Sequence, residues 1–299
     1  MGNLKEIKNR IASVQSISKI TRAMKMVASS KISRAQSLFN ARRPYTKRLM
    51  GIMRKALAAS GDASHPLMDY DRERRKVGLL IITSEKGLCG SYNSNILKLA
   101  SKFADEVVEK ECEPVYYVLG KKATRFFDRR GVRMEYEADT WKAEDDYAEE
   151  LFTRIARDYI GGVFDSMYII YALAKSKSSY LPVRQKILPF SPDDFVLPEL
   201  AEADDSSGED ESDVIFEPSV DAVIRFMVPM VIMQTIATAL VSSRFAEYGA
   251  RLLAMTNATD NAEKLVEELR LSFFRARQDA ITTEILEVSA AAAQIKDKE

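Results

Sequence analysis

The chain has 299 residues, 46% of them apolar and 29% charged, and its 44 basic side chains balance 44 acidic ones. That composition excludes wholesale disorder and a uniformly basic nucleic-acid binder. Two cysteines, Cys89 and Cys112, exclude a disulfide scaffold, and a single histidine, His65, excludes a His-rich metal site.

The neutral total conceals local asymmetry. Residues 1–60 carry 14 Lys or Arg against one acid, Glu6, while residues 61–190 carry 21 of each sign and residues 191–218 carry 11 acids and no base. So one-sided an end is expected to meet an acidic partner. The start, MGNLKEIKNRI, lacks the apolar core of a leader, and Glu6 stands where a myristoylation signal needs Ser or Thr. The most apolar stretch, 226–241, is broken by Pro229 and Gln234 and falls short of the ~18 apolar residues a bilayer span needs. A soluble chain is expected.

In chain order, residues 3–58 read as one long helix with a seam at Leu4, Ile7, Ile11, Val14, Ile17, Ile20, Met24 and Val27. These steps are those of a coiled coil with one extra three-residue step, which would overwind it locally. Pro44 is expected to kink this helix or end its first part. Residues 60–66 read as a loop. An alternation of strand and helix signals follows: strand 77–83, helix 93–110 with Asn93 as N-cap, strand 114–119 and helix 121–130 closed by Gly131. Then come strand 132–136, helix 144–160, strand 165–174 and strand 181–190. This β-α-β-α order predicts an open, mainly parallel, Rossmann-like sheet with helices on both faces over residues 75–195. Residues 196–218 read as an acidic loop and connecting segment.

From about Ser219 to 299 a second long helix is expected, bent near its start by Pro229. Phe245, Tyr248, Leu252, Met255, Thr259, Ala262, Val266, Leu269, Phe273, Ala276 and Ala280 follow alternating steps of three and four. The seam is then expected to slip one place and continue through Ile281, Ile285, Val288, Ala292 and Ile295. A 3.5-residue period held this long requires a partner helix. The terminal helices 1–60 and 219–299 can pair antiparallel within the chain, which is the economical solution, or the chain can form a parallel homodimer as a self-associating tether.

Candidate chemistry lies after the first strand, at Ser84–Asn93. Glycines between a strand and a helix are where α/β folds bind phosphate. The spacing here, however, matches neither dinucleotide nor P-loop fingerprints. Gly120-Lys121-Lys122 also follows a strand, but Val115 stands where a P-loop needs its first glycine. Cys89 lies near a helix start without a histidine base close in sequence. Asp145, Asp146, Glu149 and Glu150 read as a solvated helix face. No catalytic, cofactor or metal site is expected from these patterns.

Three stretches resemble one family. They are Ile11-Ala12-Ser13-Val14-Gln15 with Lys19–Ala28, then Thr83-Ser84-Glu85-Lys86-Gly87-Leu88-Cys89-Gly90, then Ala254–Ala262 with Arg275–Ile285. In order and spacing they resemble the gamma subunit of F-type ATP synthases, in a bacterial form. The resemblance implies a noncatalytic central-stalk rotor without a cofactor. Its coiled coil would lie inside an alpha3beta3 hexamer and its head on the c-ring beside the epsilon subunit, peripheral to the cytoplasmic face of the inner membrane. Ion-driven rotation would be coupled to ATP synthesis or hydrolysis at the beta subunits. By position it assigns partner contacts to Met24, Lys25 and Arg251 near the acidic loop of beta, and to Arg277, Gln278 and Thr282 near the catalytic subunits. Phe216 and Glu217 would form the foot touching the c-ring. Glu85-Lys86 replaces the family's usual Asp-Arg, and Phe273-Phe274 a usual Tyr-Asn pair. The acidic 199–213 segment looks like an insertion and, lacking cysteine, does not resemble the redox switch of chloroplast gamma subunits.

Overall fold

The computed structural model describes residues 2–60, 64–68, 75–143, 145–191 and 215–296. Two long helices, α1 (Gly2–Ala59) and α5 (Val220–Lys296), enclose the rest of the chain in sequence. Between them lie a short 3-10 turn (Pro66–Met68), β1 (Lys76–Ile82), α2 (Tyr92–Glu109), β2 (Glu113–Leu119), α3 (Lys121–Asp128), β3 (Met134–Ala138), α4 (Asp145–Ile160), β4 (Ser166–Ala174) and β5 (Tyr180–Leu188). Residues 1–27 with 252–299 make one compact unit, and residues 28–251 make the other. Both long helices contribute to both units. Pro44 does not end α1, and Pro229 lies inside a continuous α5.

In the first unit the two helices form a coiled coil within the chain, tied across by Thr21 and Thr259. The α5 half follows the sequence reading: Met255, Thr259, Ala262 and Val266 are buried, and Leu269, Phe273, Ala276 and Ala280 are half-buried. The α1 half does not. Ile17, Ile20 and Val27 are more than half exposed, while Ser18 is half-buried and Thr21 buried. The seam through Leu4, Ile7, Ile11, Val14, Ser18, Thr21 and Lys25 alternates steps of three and four without the extra step. The reason is register. The Thr259 hydroxyl donates to Thr21 Oγ1 at 2.8 Å, and Arg22 pairs with Glu263 beside them. Two polar side chains that satisfy each other can occupy a seam, so apolarity alone misplaced it.

The expected continuation of the α5 seam through Ile281, Ile285 and Val288 is also overturned, because all three are exposed. Counting outward from Thr21 and Thr259 in antiparallel register brings Leu4 level with Ala276. The described α1 begins at Gly2, so no described residue of α1 lies level with Ile281, Ile285 or Val288. Ala292 and Ile295 lie outside the residues whose side chains are described.

In the second unit the sheet runs in the order β3-β2-β1-β4-β5. β1 pairs in parallel with β2 and β4, and β3 in parallel with β2. The connections through α2, α3 and α4 are long enough for such crossovers. β5 is antiparallel to β4. Only residues 175–179 link those strands, closed by hydrogen bonds from Lys175 N and Ser176 N to Ser179 O. A link that short permits only a hairpin. The third strand lies two residues later than the sequence suggested, at Met134–Ala138.

Side chains alternate across the sheet. Leu80, Ile82, Tyr117, Leu119, Ile169, Tyr171 and Leu173 face one way and pack with Leu151, Ile155 and Tyr159 of α4, with Met50 and Met53 of α1, and with Ile224–Leu240 of α5. The other face meets α2 and α3, where Phe103 packs edge-on to Tyr168 and Tyr116 lies against Phe127. By length and composition α5 could cross a bilayer, contrary to the expectation for its apolar stretch. Yet Ile224, Val228, Val231, Ile232, Ile236 and Leu240 are each at most 1% exposed, so that apolar surface forms a protein core.

Candidate functional site

The glycine-bearing segment after β1 is folded by its own side chains. Ser84 N–H donates to Asn93 Oδ1 at 3.0 Å, and Ser84 Oγ donates to Lys86 O at 2.6 Å. Asn93 Nδ2 donates to Cys89 Sγ at 3.1 Å. Asn93 is thus not the cap of α2. It sits in the first turn, Ser91 is the N-cap residue, and the Asn93 amide closes the preceding loop. Cys89 is buried, and burial pushes its thiol up against the lowering influence of Ser84. A thiolate nucleophile needs the reverse. His65 accepts a hydrogen bond from Leu67 N at Nδ1, and burial, then Arg225, lowers its pKa.

Gly120 explains itself sterically. At φ 97° its backbone lies so close to Thr83 that an added Cβ would sit 2.3 Å from the Thr83 carbonyl oxygen. That closeness lets Ala123 N donate to Thr83 Oγ1 at 3.0 Å and Trp141 Nε1 donate to Thr83 O at 2.8 Å. The turn at Gly120-Lys121-Lys122 is a packing joint between β1 and α3.

The same segment is clamped to α5 by ions. Glu247, 3% exposed, accepts Arg244 at 3.3 Å and Arg251 at 2.8 Å. Arg244 also reaches Glu85 at 3.3 Å, donates to the Trp141 carbonyl and stacks 3.9 Å over the indole. Arg251 Nη2 donates to Lys86 O at 3.1 Å and to Gly87 O at 3.3 Å. Low local dielectric strengthens such a satisfied network. Sequence reasoning missed it, although the signal was present: positions 244, 247 and 251 share one helix face. Its partners Glu85 and Trp141 are remote in sequence. Nearby, Gly249 admits Lys177 O to 2.3 Å of where a Cβ would stand, and Tyr92 OH donates to Ser243 O at 3.0 Å. The buried side of α5 is therefore docked by backbone as well as by ions.

The other positions implied by resemblance are scattered. Met24 and Lys25 are half-buried at the coiled-coil seam. Arg277, Gln278 and Thr282 are exposed on α5, with Thr282 Oγ1 donating back to Gln278 O at 2.9 Å. Arg251 is spent on the clamp. Phe216 packs against the main core, and Glu217 is exposed. The structure does not bring these residues together in one site. Residues 192–214, most of the acidic segment, lie outside the described residues.

A coiled coil made from both chain ends and a mainly parallel five-stranded sheet in the intervening residues define an α/β protein with paired helical termini. The family model described as ATP synthase matches residues 3–295. The chain belongs to the ATP synthase gamma chain family. It is 37% identical to the ATP synthase gamma chain of Heliobacterium modesticaldum, covering 99% of this chain and 100% of that one. It is 36% identical to that of Pelotomaculum thermopropionicum over the same shares. Among solved structures, a chain of the Euglena gracilis mitochondrial ATP synthase (OSCP/F1/c-ring, rotational state 3) matches with TM-score 0.66 at 18% identity, covering 98% of this chain and 95% of that one. A chain of the Tetrahymena thermophila central stalk and c-ring matches with TM-score 0.59 at 22% identity, covering 80% and 99%. These two likenesses concern the fold.

Proposed function

We propose that this chain is the central-stalk rotor subunit of a bacterial ATP synthase. It carries c-ring rotation to the alpha3beta3 hexamer and makes no covalent chemistry of its own. The observation that carries this reading is the family relationship over 99% of the chain to bacterial gamma chains. The physical arrangement supports it. Torque requires an element that resists twisting, and two helices in register, tied by Thr21–Thr259 and Arg22–Glu263, resist it better than one. The alpha, beta and epsilon subunits and the c-ring are the partners, and the chain is peripheral to the cytoplasmic face of the inner membrane through them.

The basic first 60 residues suit an acidic lining. On α1, Lys25 is the basic member of the predicted contact set and Met24 its neighbour. On α5, Arg277, Gln278 and Thr282 offer exposed polar groups to the catalytic subunits. Arg251 serves by holding the Lys86–Gly87 loop at a contact surface. Phe216 anchors, and Glu217 presents, the foot toward the c-ring. Co-expression with the alpha and beta subunits of the same organism tests the reading. The expected result is a complex with one copy of this chain per three beta subunits, whose ATP hydrolysis depends on it. A chain that never co-purifies with them refutes it.

A further inference from the structure

The face of the sheet away from α5 carries a groove between α2 and α3. It encloses about 790 Å³ and is lined by Lys98, Lys102, Lys122, Arg125, Arg129 and Arg130, with Asp105 as the one carboxylate. That volume is typical of small-molecule sites. Among the described residues, Lys102 alone of these cations has an ion-pair partner, Glu106 at 4.0 Å. Arg130 stacks 3.5 Å over the ring of Phe126, four residues earlier in the chain. Lys98 and Lys102 sit one turn apart on α2, and Lys122 and Arg125 of α3 form one stripe with Arg129, its C-cap. Cations from both helices thus line one groove, together with Leu97 and Phe126. Like charges gathered along one groove repel, so an anion that bridges them is bound favourably.

We propose that this groove is a binding site for a chain of phosphates, either inorganic polyphosphate or the tail of a nucleoside triphosphate. From Lys122 to Arg129 the stripe covers seven steps, about 10 Å at 1.5 Å per residue. That is too long for one phosphate or sulfate and suits a linear polyanion. Arginine forks at positions 125 and 129 grip phosphate oxygens in pairs, and the lysines supply point charges from the opposite wall. Ser101 lines the α2 side and adds a hydroxyl donor. Asp105, at the cleft margin, leaves the cations in large excess.

The test is isothermal titration calorimetry of the full chain with sodium tripolyphosphate, with ATP as a second arm and sodium sulfate at matched ionic strength as the control. The expected result is saturable binding of one tripolyphosphate per chain, weakened about tenfold or more in Arg125→Glu/Arg129→Glu and unchanged in Lys142→Glu, an exposed charge outside the groove. Tighter binding of ATP than of tripolyphosphate assigns the nucleoside triphosphate, and the reverse assigns inorganic polyphosphate. Equal affinity in the double variant overturns the site, as does sulfate competing as well as tripolyphosphate charge for charge. No saturable heat overturns it as well. Displacement of tripolyphosphate by a short poly-glutamate peptide at lower concentration would hand the groove to an acidic protein segment and overturn the phosphate assignment.

Discussion

Glu247→Gln is the sharpest probe of how the segment after β1 is held. Glu247 is 3% exposed and carries the counter-charge for Arg244 and Arg251, whose side chains are only 16% and 11% exposed. Breaking a buried pair by removing one partner costs about 3–5 kcal/mol, because a charge is left uncompensated. Both arginines keep other acceptors: Arg244 has Glu85 and the Trp141 carbonyl, and Arg251 has the Lys86 and Gly87 carbonyls. The lower end, about 3 kcal/mol, is therefore expected. For a unit of this size that corresponds to a loss of roughly 6–12 °C in Tm. Trp141, the only tryptophan, lies under Arg244 and reports the event directly. Its fluorescence should be followed through urea and thermal unfolding of the full chain, with the exposed Glu149→Gln as reference. A change in unfolding free energy below about 1 kcal/mol, no larger than for an exposed ion pair, would refute the argument that this network holds the loop.

Three further outcomes are expected. Gly120→Ala should cost more than about 3 kcal/mol, or prevent folding of the 28–251 unit, because a Cβ at 2.3 Å from Thr83 O adds a backbone clash to strain at positive φ; a urea midpoint within error of the parent would contradict this. Asp158 is buried, which raises its pKa, but hydrogen bonds from Arg154, Tyr117 and Arg157 outweigh that and hold it below the usual carboxylate value. Its contribution to stability is therefore full above the unfolded pKa of about 3.9 and is lost as pH falls through the lower folded value. Asp158→Asn should flatten stability against pH below about 4, and an unchanged acid limb would count against it. Arg277→Glu with Gln278→Leu, both exposed on α5, should leave the Trp141 unfolding curve intact while reducing coupled ATP hydrolysis severalfold in the assembled complex; full activity would remove these two residues from the contact set.

Much of this protein is written locally. The alternation of strand and helix signals, the crossovers that make β1 to β4 parallel, and the α5 seam from Phe245 to Ala280 all follow from periodicities of two and 3.5 residues, which any single segment displays. The antiparallel turn of β5 was equally available, since five residues cannot cross over a sheet. The full-length family relationship was also legible, because its motifs are spread along the whole chain. Tertiary structure decided the rest. Ser18 and Thr21 displaced Ile17 and Ile20 from the α1 seam because burial depends on which residue faces the partner, and Thr259 supplied the hydroxyl that made a polar layer acceptable. Ile281, Ile285 and Val288 lost their seam because no described residue of α1 lies opposite them, a fact outside their own segment. Resemblance assigns Arg251 to a partner contact, and only folding shows it bound to Glu247 and to carbonyls some 165 residues away in the chain. Periodicity is a property of one segment, whereas register, helix overlap and ion pairing are properties of two segments brought together.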